Sequence, residues 1–394
     1  MSGTLNTTYD NVIFALHLNS EAMARLQEQA ATGSQVNRTS DDPSVSYRVL
    51  GLNSQIASLQ NYTDNLSEAM SILELSSAVI VDMLSHFTDT KASLTQIISG
   101  TYGEDARDRA AEGVDQTLEQ IVLLANSEQM DQYLFGGGNT ASAPYLVQRT
   151  DGEITTVTYQ GSYEDRNIEV APNVKTSALH VGKDIFQSDD RGEPVFLGDT
   201  GAAAGTGTSS SRADTWLTVT GSAGNYNLSI DDGLSTVNTD GTDTNLAVTN
   251  STTGEVLYVD TTAITGTGVE LVRMPGTYDI FTTLITLRDT LENDRNLSDG
   301  QVREILDDAM NSLDEMSDLL VRAEVSIGSK IGFLDDLKDS LRNIEYFTED
   351  ETTRLQEADI AQVAIDLSRR EALYQISLSV AVRLMSVSLM DFLR

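Results

Sequence analysis

Eight apolar residues fall at every seventh position near the start of the chain: Val45, Leu52, Leu59, Leu66, Leu73, Ile80, Phe87 and Leu94. A partly polar row interleaves with them at Val49, Ile56, Thr63, Met70, Ser77, Leu84, Lys91 and Ile98. The pattern returns near the end as Leu306, Leu313, Leu320, Ile327, Leu334 and Leu341, flanked by Val302, Ala309, Met316, Ala323, Lys330, Leu337 and Ile344. A seam this long predicts long helices packed side by side, nearly parallel or antiparallel. At ~1.5 Å per residue the first row alone makes a helix of roughly 80 Å. Extended assemblies need such helices; ordinary globular enzymes seldom do.

Composition narrows the function. The 60 acidic and 25 basic residues give a net charge of −35. A nucleic-acid surface needs clustered Lys and Arg, so that class is excluded, and anionic membranes are disfavoured for the same reason. No cysteine is present, which removes disulfides, thiolate catalysis and cysteine-based zinc sites. The first twenty residues lack a basic segment followed by a long apolar one, so no cleaved secretory signal is expected. The most apolar stretch, Leu373 to Leu393, carries Gln375, Arg383, Asp391 and several serines. It fits an amphipathic helix packing on partner helices better than a membrane span.

The chain reads as a nested arrangement. Val12, Leu16, Met23, Leu26 and Ala30 recur at helical spacing, and Gly33 is a natural stop. Asn37 to Pro43 follows as a joint: Ser40 or Asp41 is placed to cap a helix, with Pro43 in its first turn. The acidic pair Asp41 and Asp42 suits the positive end of that helix. Ser99 to Gly103 breaks the long helix, and a second one is expected from about Glu104 to Phe135. Gly136, Gly137 and Gly138 then read as a domain hinge. Alternating runs at 154–159, 216–219, 226–230 and 255–259 predict strands separated by Asp-Gly and Thr-Gly turns. The small, polar stretch 198–212 reads as a mobile loop. Helical spacing resumes near Gly276, and Ser298 with Gln301 forms a capping-box pattern. Thr348 to Thr353 reads as a polar joint before a last helix with Ile360, Ala364, Leu367, Tyr374, Leu378, Ala381, Met385 and Phe392 on one face.

The fold class expected is mainly α with a β-rich insertion: long antiparallel helical rods formed by both chain termini, plus an inserted β domain. The division expected is 1–44 with 354–394, 45–135 with 276–353, and 136–275 between them.

No catalytic constellation emerges. His17, His86 and His180 share no metal-ligand spacing, and neither a zinc-protease helix motif nor a nucleophile elbow is present. The acidic run 231–245 fails as an EF-hand, because Thr236 and Ala247 occupy the first and last ligand positions. Neither an enzyme nor a cofactor or metal site is expected.

The terminal regions resemble the flagellin superfamily of bacterial flagellar axial proteins. The resemblance rests on Leu26 to Gly33 followed by Asn37-Arg38-Thr39-Ser40-Asp41-Asp42-Pro43, on Tyr133-Leu134-Phe135-Gly136-Gly137, and on the tail Tyr374 to Leu378 ending Ser388 to Leu393. It covers roughly the first 135 and last 115 residues. Within the superfamily, the Asn-Arg-x-Ser-Asp-Asp-Pro form is more like the proteins that join hook to filament than like flagellin itself. Gly136 stands where those proteins have serine, and the final Arg394 is a feature shared with flagellins.

The resemblance implies terminal helices that pair into an inner tube domain and are unfolded in the free monomer. It also implies a bundle outside them and a β insertion facing the medium. The implied role is structural: a homo-oligomeric ring between hook-associated protein 1 and flagellin, exported by the flagellar type III route to the cell exterior. An export chaperone would bind the tail. The assembly contacts expected are Leu16, Met23, Leu26, Leu367, Tyr374, Leu378, Met385 and Phe392, with Asp41, Asp42, Pro43 and Gly136 to Gly138 as domain joints. Two other readings fit the same residues: flagellin proper, and a secreted coiled-coil adhesin.

Overall fold

The computed structural model describes the backbone of residues 2–99 and 103–392, and the side chains of residues 10–99 and 103–383. Three helices come first: α1 (Ser2–Thr32), α2 (Pro43–Ser99) and α3 (Glu104–Ala125). A β-rich region follows with β1 (Glu128–Gln129), β2 (Gln132–Tyr133), β3 (Tyr145–Thr150), β4 (Glu153–Tyr159), β5 (Asn167–Ala171) and β6 (Val174–Ser177). After the short α4 (Gly182–Phe186) it continues with β7 (Val195–Leu197), β8 (Ala203–Ala204), β9 (Asp214–Ser222), β10 (Asn225–Ser229) and β11 (Val237–Thr239). The last strands are β12 (Leu246–Thr249), β13 (Val256–Asp260) and β14 (Gly268–Arg273). The chain closes with α5 (Ile280–Glu292), α6 (Asp299–Gln356) and α7 (Ile360–Phe392). Two compact units result: residues 1–64 with 337–394, and residues 65–336.

The fold is mainly α with a β-rich insertion, and its long helices come from both ends of the chain. Within the first unit, Gln60 of α2 donates to Glu345 of α6 at 2.8 Å, and Arg48 pairs with Glu351. Rising numbers on one helix meet falling numbers on the other, so the two run antiparallel. Within the second unit, Lys91 pairs with Asp314 in the same sense.

The seven-residue rows sit where their spacing demands. Leu66, Leu73, Ile80, Phe87 and Leu94 are buried on α2, and Leu306, Leu313, Leu320, Ile327, Leu334 and Leu341 on α6. The interleaved row on α2 differs from expectation by one residue. Met70, Ser77, Leu84 and Lys91 are only half-buried, whereas Ala69, Ser76, Met83 and Thr90 are buried. Small and hydroxylated residues occupy this inner row because the neighbouring helix approaches closely. Ser76 returns its hydroxyl to the Ile72 carbonyl at 2.9 Å, and Thr90 lies 3.1 Å from Thr117 of α3. Their polar atoms are thus satisfied without water. By length and composition α2 also meets the test for a membrane span, but its apolar rows fill the bundle.

Several element ends correct the sequence reading. Helix α3 stops at Ala125 rather than Phe135. The backbone then takes positive φ at Met130 (50°) and Asp131 (60°), turning the chain through the β1–β2 hairpin. Helix α6 runs unbroken through Thr348 to Thr353 and ends at Gln356. Thr348 and Thr352 each return a hydroxyl to the carbonyl four residues back, so they are accommodated inside the helix. The predicted capping box is present: Ser298 N donates to Gln301 Oε1 at 3.1 Å, and Gln301 N to Ser298 Oγ at 3.3 Å.

The insertion packs two antiparallel sheets, ordered β11-β10-β9-β14-β7 and β12-β13-β8. Alternation along β9 turns Leu217 and Val219 inward, where they meet Leu228, Val248, Leu257, Val259 and Val272. Stretch 198–212 is not a free loop. Gly205 N donates to the Tyr258 carbonyl and Ser210 N to that of Val256, so this segment edges β13. Its small residues serve close approach, because a Cβ on Gly207 would fall 2.5 Å from the Tyr258 ring. A second cluster gathers Phe135, Tyr145, Phe186 and Phe281, with Tyr145 4.7 Å from Phe281 and 5.8 Å from Phe186. Buried Arg288 of α5 donates to Asp115 of α3 and to the Ile154 carbonyl of β4, each at 3.0 Å.

Candidate assembly interface

The two chain ends meet at a set of backbone hydrogen bonds. Helix α1 ends at Thr32, and Gly33 takes φ 71°, the left-handed conformation that glycine adopts freely. The turn this makes brings Gln35 N to the Gln356 carbonyl at 2.6 Å and Ala358 N to the Gly33 carbonyl at 2.9 Å. Gln29, itself buried, donates from Nε2 to the Gln35 carbonyl at 2.7 Å. The α1–α2 and α6–α7 connections are therefore stitched together, and α7 starts back along α1 in the opposite direction. Farther along the pair, Arg370 Nη1 donates to Asn19 Oδ1 at 3.1 Å.

The motif from Asn37 to Pro43 builds the joint. With Pro43 as the first helical residue, the capping position is Asp42, not Ser40 or Asp41. Asp42 Oδ1 accepts from Ser44 N at 2.9 Å and Val45 N at 3.0 Å. Asp41 instead closes the preceding turn by accepting from Arg38 N at 2.9 Å. The Arg38 guanidinium reaches back to Glu28 at 3.2 Å, and Asn37 Nδ2 donates to the Ser34 carbonyl at 3.3 Å.

The expected contact residues divide into two groups. Leu16, Met23, Leu26, Leu367 and Tyr374 are half-buried, and Val363 is buried, as the seam of a two-helix pair requires. Leu378 stays 46% exposed. The side chains of Met385 and Phe392 lie outside the described residues. Sequence reasoning missed a further set that shares Leu378's exposure: Phe14 at 65%, Ile365 at 62%, Ile376 at 59% and Val382 at 60%, with Ile13 and Leu18 beside them. The signal was present. Val12 to Leu18 and Leu373 to Val382 hold more apolar residues than one stripe can use. Two helices bury one face each, so the surplus is left bare. Covering one such side chain fully is worth ~1.5–3 kcal/mol.

Gly136, Gly137 and Gly138 belong to the other compact unit and are not brought to this pair. They form a pinned turn. Gly137 N donates to the His180 carbonyl at 3.0 Å, Gly138 N to that of Glu164 at 2.7 Å, and Ser162 N to that of Gly136 at 2.9 Å. A Cβ on Gly137 would fall 2.5 Å from the Ser162 carbonyl oxygen. These glycines let three backbone segments cross.

The remaining polar residues serve structure. Burial pushes the His180 imidazole down to about 4, with Lys330 adding to the effect, so it is neutral at pH 7. In the former calcium candidate, burial alone would raise the Asp231 carboxyl. Hydrogen bonds from Ser251, Ser235 and Ser229 outweigh it and hold the group well below the usual carboxylate range. Among the described residues no cluster of three His, Cys, Asp or Glu is arranged to hold a metal ion.

Comparison with known proteins agrees with the terminal motifs. Residues 6–140 match the bacterial flagellin N-terminal helical region. Flagellar hook-associated protein 3 of Escherichia coli K12 is 25% identical over 162 residues, 41% of this chain and 49% of that protein. Its counterpart in Salmonella typhimurium LT2 is 27% identical over 173 residues, 43% of this chain and 52% of that protein. The chain thus spans about half the length of the curated relatives it matches. Among solved structures, FlgL of Xanthomonas campestris aligns with a TM-score of 0.52 at 19% identity, over 77% of this chain and 99% of that one. The flagellar hook associated protein-3 of Legionella pneumophila aligns at 0.53 and 12% identity, over 77% and 98%. The fold is that of these proteins, and the chain resembles the flagellin superfamily, most closely its hook-associated protein 3 type.

Proposed function

We propose that this chain is a structural protein of the bacterial flagellum that joins hook to filament and catalyses no reaction. The observation that carries the reading is the pairing of the two chain termini with an apolar row left facing outward on α1 and α7. A second copy of the chain, hook-associated protein 1 on one side and flagellin on the other are the partners that would cover it. Helices gain most of their stability from packing, so a pair this bare folds fully only in the assembly. In this account 1–44 and 354–394 form the inner tube, 45–135 and 276–353 the surrounding bundle, and 136–275 the outward domain. Export would follow the flagellar type III route to the cell exterior, with a chaperone shielding the C-terminal tail until assembly.

Deleting the gene, imaging the cell surface and assaying the medium for flagellin tests this reading. Bare hooks with flagellin monomers shed into the medium are expected, because filament subunits would be exported with nothing to hold them. Bare hooks without flagellin anywhere would make this chain the flagellin. Intact filaments and normal swimming would reject both flagellar roles and favour an adhesin.

A further inference from the structure

The β-rich insertion contains a pocket of about 400 Å³ that none of the proposed assembly contacts uses. Its size falls within the ~300–1,000 Å³ usual for small-molecule sites. Asp214 and Trp216 of β9, Asp232 after β10, Asn250 and Glu255 of the β12–β13 turn, and Arg295 of the α5–α6 connection all line it. Along β9 these two residues alternate with Leu217, so they stand on the sheet face opposite the apolar core.

The polar groups are held in place. Arg295 forks onto Asp232 at 2.6 and 3.4 Å, and its guanidinium carbon lies 4.7 Å from the Trp216 ring centroid. Asn250 Oδ1 accepts from Thr252 N and Thr253 N, which fixes its loop. Asp214 differs from the rest. No hydrogen bond satisfies its carboxylate among the described residues, although it pairs in register with Arg273 on β14. Burial pushes its carboxyl up to about 7, Arg273 opposing and Asp308 adding to the rise. A ligand that donates hydrogen bonds to this carboxylate would supply what the protein does not.

We propose that this pocket binds a pyranose sugar bearing no acidic group, with Asp214 accepting from ring hydroxyls beside the Trp216 indole. An aromatic edge next to fixed carboxylate, amide and guanidinium groups matches a ring that is apolar on its faces and polar at its rim. The lining carries four carboxylates, with Asp279, against Arg212 and Arg295, so uronic and sialic acids would be repelled.

Trp216 is the chain's single tryptophan, so its fluorescence reports this pocket alone. The experiment titrates the full chain with methyl glycosides of neutral hexoses, an N-acetylhexosamine and a hexosamine, with N-acetylneuraminate as the acidic comparison. A saturable change at millimolar concentration is expected for at least one non-acidic sugar, weakened about tenfold or more in Asp214→Asn. Asp214→Asn removes a buried charge, so it will fold, and thermal unfolding checks that it does. No saturable change with any sugar overturns the proposal. So does equal binding by N-acetylneuraminate, or undiminished binding by Asp214→Asn.

Discussion

The Arg273 guanidinium of β14 donates to the Asp308 carboxylate of α6 at 2.6 Å, joining the inserted sheet to a helix of the same compact unit. Arg273 is buried, and its second nitrogen lies 3.3 Å from the Tyr278 hydroxyl and 3.5 Å from Glu315. Removing one partner of a buried ion pair leaves the others without compensation. Arg273→Ala is therefore expected to lose about 3–5 kcal/mol. Urea denaturation followed by circular dichroism measures this, and a loss below about 1 kcal/mol would contradict the assignment.

Asp214 gives a pH signature of known sign. Its folded carboxyl titrates near 7 rather than 3.8, so the native state holds a proton that the unfolded chain has released. Between those values, stability from this group falls as pH rises. Asp214→Asn removes the penalty. The variant is expected to exceed the parent by on the order of a few kcal/mol at about pH 8, and to match it near about pH 4. A pH-independent difference would show that the carboxyl is not desolvated.

The start of α2 depends on one oxygen. Asp42→Ala leaves Ser44 N and Val45 N without their acceptor, and is expected to cost about 1 kcal/mol. Asp41→Ala disturbs only the preceding turn and should cost less in the same thermal unfolding assay. The reverse order would return the cap to Asp41.

Much of this fold is legible in the chain because its dominant signal is local. A leucine every seventh residue buries its row wherever the partner helix lies, and that held from Leu66 to Leu94 and from Leu306 to Leu341. The companion row on α2 was read one residue off. Apolar counting favours Met70 and Leu84 over Ala69, Ser76 and Thr90, whereas close helix approach favours the small residues. Strand order is set by contacts distant in sequence, so β9 between β10 and β14 is invisible to alternation alone. The stretch 198–212 shows composition misleading in the other direction: its glycines and serines mark tight packing against β13. At the chain ends, sequence marked α1 and α7 as apolar and paired. It did not reveal that Leu378 belongs with Phe14, Ile365 and Val382 on the outward side, because that depends on which face the partner helix takes.

The central claim is that this outward row makes the joint between subunits. The most direct measurement returns either the parent chain or Leu378→Asp to the deletion strain and counts filaments per hook by electron microscopy. Leu378 is half exposed and α1 pairs with α7 through other residues, so the variant is expected to fold, to be exported, and to leave hooks bare with flagellin in the medium. Filaments restored by the variant as well as by the parent would contradict the account.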